Sequence, residues 1–367
     1  MHKISVLSLA FLAGFVLLVS SCNKTTINPS IGNWIFREEF GGNARSEAVS
    51  FVIHNDSAYV TTGYDFLPQT YPQKGDTLGR YYDMWQYQAD PSEASDKAGN
   101  WTQEADFIGS ARSSAVAFSI GDTGYVGTGF DNFSNNLSDF YAYDAPSNTW
   151  TREADFIGTG RYDAVGFALK GRGYIATGFD GGYNSDCYQY NPNTGTWIKT
   201  KQFPGPKRSQ AVAFVSNDTT AFICTGSNNG NTSVCNDLWA MTTSTSNPDS
   251  IIWTERRHIT NFDTQSYDDL YAMIRQNAVA FVVDDLGFAF LTTGNNGAER
   301  TDNWEYDVKK DLWYQETSFE GIAREGAVGF SIDNRGFVGT GRSSATNAGQ
   351  FDDFREFLPL QAYNALD

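Results

Sequence analysis

The chain has 367 residues and a formal net charge of −17, and it is rich in aromatic residues, with 27 Phe, 19 Tyr and 9 Trp. That charge excludes a basic nucleic-acid binder and repels acidic membrane surfaces, so no nucleic-acid partner is expected. The large apolar content excludes an intrinsically disordered chain.

The first element is MHKISVLSLAFLAGFVLLVSSC, with Lys3 at its start, an apolar stretch from Val6 to Val19 and small residues before Cys22. Residues 1–21 read as a secretory signal peptide, too short to span a membrane comfortably. Val19-Ser20-Ser21-Cys22 resembles a bacterial lipobox, which implies cleavage before Cys22 and lipidation of that residue; an ordinary signal peptide is the alternative. On the lipobox reading, residues 22–32 are a lipidated cysteine and polar tether. The expected location is then the cell envelope, on the outer membrane of a Gram-negative bacterium, with the lipid as the sole membrane contact.

Beyond the tether, one pattern recurs six times. RSEAVSF begins at Arg45, RSSAVAF at Arg112, RYDAVGF at Arg161, RSQAVAF at Arg208, RQNAVAF at Arg275 and REGAVGF at Arg324. Each is followed by a second apolar run that ends in Thr-Gly, at Gly63, Gly129, Gly178, Gly226, Gly294 and Gly341. Next come an acidic residue and an aromatic stretch starting at Asp83, Asp139, Asp186, Asp237, Asp302 and Asp353, and five units close on Trp101, Trp150, Trp197, Trp253 and Trp313. Four β-rich runs per unit, parted by turn clusters, predict a four-stranded antiparallel sheet, strands A to D. Such a unit cannot bury both faces alone, so six of them predict an all-β fold, a six-bladed β-propeller over residues 33–367. The sixth unit lacks its tryptophan, whereas NWIFREEF places Trp34 ahead of the first arginine. The N-terminal strand is therefore expected to close the last blade and leave no unpaired edge.

At this point the repeats resemble the kelch family: YDAPSNTW, YNPNTGTW and YDVKKDLW are similar to its Tyr-to-Trp segment, across roughly residues 33 to 360. The family's Gly-Gly doublet is Thr-Gly throughout this chain. The family includes a copper radical oxidase and a periplasmic sialic-acid mutarotase. The oxidase would need histidine ligands and a Tyr-Cys crosslink for which His2, His54 and His258 offer no positions. The mutarotase would need a general acid, a general base and a polar pocket, which Asp, Glu and Arg could supply.

Arg45, Arg112, Arg161, Arg208, Arg275 and Arg324 all precede strand A, on the face shared by the D-to-A and B-to-C loops. Two readings compete for this rim: an anion site, because guanidinium forks match carboxylate and phosphate, or a structural ion pair with the acidic residue before strand C. Sixfold repetition in step with that acid favours the ion pair, and ligand choice is then expected from what does not repeat.

Two long segments on this face do not repeat, a B-to-C loop in blade 1 and a D-to-A insertion before blade 5. They and the shorter B-to-C loops supply the candidate ligand-binding residues Phe66, Tyr71, Tyr81, Asp131, Asp180, Tyr183, Asn228, Tyr267 and Asn296. Aromatics beside Asp and Asn are what sugar stacking and hydroxyl recognition require, and they suit protein contacts equally well. The four Asx residues could also contribute oxygens to Ca²⁺, although local turn chemistry explains them better and no calcium motif matches. No other cofactor, no metal site and no catalytic residue is expected. Cys224 and Cys235 could bridge one hairpin, but with Cys187 the number is odd, and a buried free thiol is the stronger expectation for at least one of the three. The reading as a whole is an envelope lipoprotein that binds a glycan or glycoprotein through this face. A protein-interaction platform is the alternative, and a mutarotase-like enzyme a third.

Overall fold

The computed structural model describes residues 31–65, 79–89, 99–228, 234–244, 247, 249–259, 273–344 and 349–366. Six four-stranded antiparallel sheets account for nearly all of its regular structure. Their inner strands, A in each blade, are Val49–Ile53, Val116–Ile120, Val165–Leu169, Val212–Ser216, Val279–Val283 and Val328–Ile332. Strands B to D follow outward in chain order, as in blade 3 with Arg172–Ala176, Cys187–Asn191 and Thr196–Lys199. Four of the six A-to-B hairpins are closed by pairs of residues with positive φ, such as Asn217 and Asp218 (50° and 46°) and Asp333 and Asn334 (48° and 60°). Those values are the mirror-image turn geometry that matches strand twist, and Asn and Asp tolerate it.

Each inner strand alternates large and small residues because it meets a different neighbour on each face. The Val-x-Phe face packs on the following blade, and the core is six such interfaces. Phe118 of blade 2 illustrates the fit: a Cβ on Gly173 of blade 3 would lie 2.3 Å from its ring. Gly124 against Phe51 and Gly336 against Phe281 repeat the arrangement, each at 2.1 Å, so glycine there is a demand of close approach rather than of turning.

The ring closes as the tryptophan pattern requires. Ile31–Arg37 pairs antiparallel with Phe354–Ala362 and becomes the outer strand of blade 6. Trp150 and Trp197 each donate an indole N–H to a carbonyl of the preceding interblade link, at Ala105 and Ala154. Trp34 does the same to Thr317, 283 residues away, and its ring sits between Phe281, Phe319 and Phe357.

Candidate functional site

The six arginines are fully buried. Each stands at the foot of strand A and forms a forked pair with the aspartate at the foot of strand C in its own blade. Arg45–Asp83, Arg112–Asp139, Arg161–Asp186, Arg208–Asp237 and Arg324–Asp353 close to between 2.5 and 2.7 Å, and Arg275–Asp302 completes the set. Nη1 also donates to the carbonyl of the Thr in Thr-Gly, for example Thr62, Thr128 and Thr177, and Nε donates to the carbonyl two residues back. In five blades a phenylalanine lies 4.8 to 5.0 Å from the guanidinium. Against the pull of burial, Arg45 and Arg112 hold Asp83 and Asp139 below the ordinary carboxylate range. A guanidinium so occupied has no fork to offer an anion.

The Thr-Gly doublet fixes these pairs to the ring. Its threonines adopt φ of 57° to 65° and its glycines 86° to 98°, a local strain for a β-branched residue that the surrounding bonds must hold. Each glycine N–H donates to the arginine carbonyl of the next blade, from Gly63 to Arg112 and onward to Gly341, which donates to Arg45. This closed circle of six backbone bonds passes through every interface.

A second closed circle lies at the axis. Two residues after each arginine come Glu47, Ser114, Asp163, Gln210, Asn277 and Gly326, all with positive φ. Ser114 donates its N–H to the carbonyl of Glu47, Asp163 to Ser114, Gln210 to Asp163, Asn277 to Gln210, Gly326 to Asn277 and Glu47 to Gly326, at 2.8 to 3.1 Å. Directly beneath begins a cavity of about 180 Å³, framed by Ala48, Ala115, Ala164, Ala211, Ala278 and Ala327 and by the inner strands below them. The repeat is constant at the arginine and at this alanine, and it diverges between them.

The divergent side chains form one polar network. Ser114 donates to Glu47 at 2.7 Å, Arg342 reaches Glu325 at 3.0 Å and Glu47 at 3.4 Å and also contacts the Tyr64 hydroxyl, and Asn277 donates to Glu325 at 3.4 Å. Asp163 accepts from Ser114 and Gln210, yet burial and then the charge of Glu47 push it up to about 7. Burial raises Glu325 to about 6 as well. A carboxyl poised near neutrality beside donors of both kinds can give or accept a hydrogen bond.

Next to this network runs an aromatic arc. Phe130, Tyr162, Phe179 and Tyr183 contact one another in sequence, with ring centroids 5.2 to 5.5 Å apart, and all four are half-buried. Arg80 extends the arc toward Tyr64, its guanidinium 5.0 Å from the Phe130 ring. On the far side of the mouth the corresponding positions are Ser227 and Asn295, which bridge to Ser209 and Gln276.

Of the residues singled out in the sequence, Tyr183 lies on this arc. Tyr81, expected among the exposed loop aromatics, is instead buried, 4.1 Å beneath the Arg45 guanidinium, because the chain turns inward there to reach strand C. Asp131 is turned into its own loop, where it accepts the N–H groups of Phe133 and Asn135, both at 2.8 Å. Asp180 accepts from Thr159 and from the Gly182 N–H, Asn296 donates its N–H to Ala298, and Asn228 is exposed. Cys22, Phe66, Tyr71 and Tyr267 lie outside the described residues. Glu47, Asp163, Gln210, Asn277, Glu325 and Arg342 were not singled out by the sequence reading; the signal for all but Arg342 was the pair of variable columns between the constant arginine and the constant alanine.

Cys187, Cys224 and Cys235 are buried free thiols, and burial pushes the first two up to about 12, so the Cys224–Cys235 bridge is not formed. His54 meets Asp122 on the A-to-B face, away from the mouth. Among the described residues no group of three or more His, Cys, Asp or Glu could hold a metal ion, and no helix is long and apolar enough to cross a membrane.

Fold and rim together define a six-bladed β-propeller with a polar mouth and an aromatic border. Its fold is similar to that of YjhT, a kelch-type propeller, with a TM-score of 0.64 and 15% identity over 86% of this chain and 95% of that one. No family model matches the chain, and no curated protein matches it.

Proposed function

We propose that this chain is a ligand-binding propeller whose site is the mouth of the central channel, and that its ligand is a glycan, free or on a glycoprotein, met at the cell envelope where a lipid on Cys22 tethers the protein. One observation carries the reading: the positions at which the repeat diverges are gathered around a single opening. Glu47, Asp163, Gln210, Asn277 and Arg342 offer donors and acceptors for hydroxyl groups, and the Phe130-to-Tyr183 arc offers faces for the apolar side of a sugar ring. The cavity below is smaller than a typical ligand pocket, so the sugar rests on the mouth and does not fill the channel. Three carboxyl groups, Glu47, Asp163 and Glu325, set against the two guanidinium groups of Arg342 and Arg80, favour neutral and amino sugars over acidic ones.

The test is a thermal-shift screen of neutral, amino and acidic sugars. A ligand at ~100 times its dissociation constant adds ~2.7 kcal/mol, and stabilisation by one class that Tyr162→Ala weakens supports the site. A flat screen overturns the glycan reading and turns attention to an envelope protein partner.

A further inference from the structure

We propose that the face of blade 5 turned toward blade 6 carries a hard-cation site of the calcium class, built by Thr292, Asn303, Glu305 and Glu316. Asn303 opens strand C, Asn303–Asp307, and its direct partners are Thr292 on strand B and Glu316 on strand D. Direct cross-strand partners share a face, so these three side chains form a row, and Glu305 lies on the same face two residues along.

This row differs from its counterparts. At the position of Asn303 the other blades carry Met84, Phe140, Cys187, Leu238 and Phe354, all fully buried and apolar. Asn303 is equally buried, yet neither its Oδ1 nor its Nδ2 has a hydrogen-bond partner. Thr292 Oγ1 and Glu316 Oε2 beside it are also buried without partners. Buried polar groups are almost always satisfied, so an orphaned row of this kind points to a missing occupant.

The donor chemistry says which occupant fits. Two carboxylates, an amide oxygen and a hydroxyl are the hard oxygen set that calcium takes, with water completing the shell. Of the nearby protein cations, Lys310 pairs with Asp307 at 2.7 Å, and Arg355 of blade 6, whose Nε is also buried without a partner, feels burial first and then the charges of Asp353 and Glu320. Thr317, next in chain to Glu316, receives the Trp34 indole and donates to the Ile31 carbonyl. A cation in the row would therefore brace the seam where the N-terminal strand closes the ring.

The experiment strips the full chain with a chelator and follows its melting temperature as Ca²⁺ is added, with Tb³⁺ luminescence excited through tryptophan as a direct probe. Wild type is expected to gain stability and to bind Tb³⁺. Asn303→Leu, which installs the residue of blade 4, is expected to fold and to lose at least about tenfold in affinity, as is Glu316→Gln, whereas Asp131→Asn should respond like wild type. No response in wild type overturns the site, and so does a response that survives in both Asn303→Leu and Glu316→Gln. If Asn303→Leu did not fold, Glu316→Gln alone would decide.

Discussion

The rim and the mouth are two residues apart in every repeat, and they follow opposite rules. At the rim, Arg161 is buried, saturated with hydrogen bonds and matched by five equivalents that do the same. At the mouth, Asp163 is partly exposed and has five neighbours of different chemistry. The contrast shows how a repeat protein separates stability from recognition: the costly element is copied six times, and the variable one is carried on a backbone that the copies hold still.

The largest expected effect breaks the rim at its seam. Deleting residues 33–40 removes Trp34 and the outer strand of blade 6, and the cooperative melt should be lost or fall by more than about 10 °C in circular dichroism. Somewhat smaller is Arg161→Met, which leaves the half-buried Asp186 without its counter-charge, at a cost of about 3 kcal/mol in chemical denaturation. Adding Asp186→Leu should recover part of that loss, and a double variant no better than the single would contradict the pairing.

Gly178→Ala tests the strained doublet, since φ is +95° and the new Cβ would lie 2.8 Å from that of Ala164. A cost of about 1–3 kcal/mol is expected, again read by denaturation. A wild-type midpoint would show that the ring tolerates a side chain there.

The smallest stability effect belongs to the mouth and concerns pH. Asp163 ionises near 4 when unfolded and at about 7 when folded, so between these values the folded state holds more protons. Its contribution to stability is full below pH 4 and fades as pH rises through 7. Asp163→Asn should raise the melting temperature at pH 8 by a few degrees and flatten the profile from pH 5 to 8. An unchanged slope would place the titration elsewhere, with Glu305 and Glu316 next in line because their direction is the same.

The fold was legible because repetition amplifies it. Six copies of Arg-x-x-Ala-Val identify strand A, and the displaced Trp34 reveals how the ring closes. The mouth was not legible for the same reason inverted: Glu47, Ser114, Asp163, Gln210, Asn277 and Gly326 look like noise within a constant motif until the axis brings them together. Tyr81 misled because loop membership says nothing of direction, and the cation–π contact that draws it under Arg45 is invisible in sequence. Asp131 misled differently, since an Asx side chain that closes its own loop has the composition of a ligand and none of its availability.

If Cys22 carries the proposed lipid, the closing strand sets the point at which its tether joins the propeller. Ile31 lies opposite Ala362 on the outer edge of blade 6, and the strand runs from there toward Arg45 and the rim, so Ile31 is at the end remote from the mouth. A lipid on Cys22 would be joined to that corner through the eight residues between Cys22 and Ile31, no more than about 30 Å of chain. On such a leash the propeller would meet the membrane with its A-to-B side and hold its mouth outward, as a dish faces away from its mount.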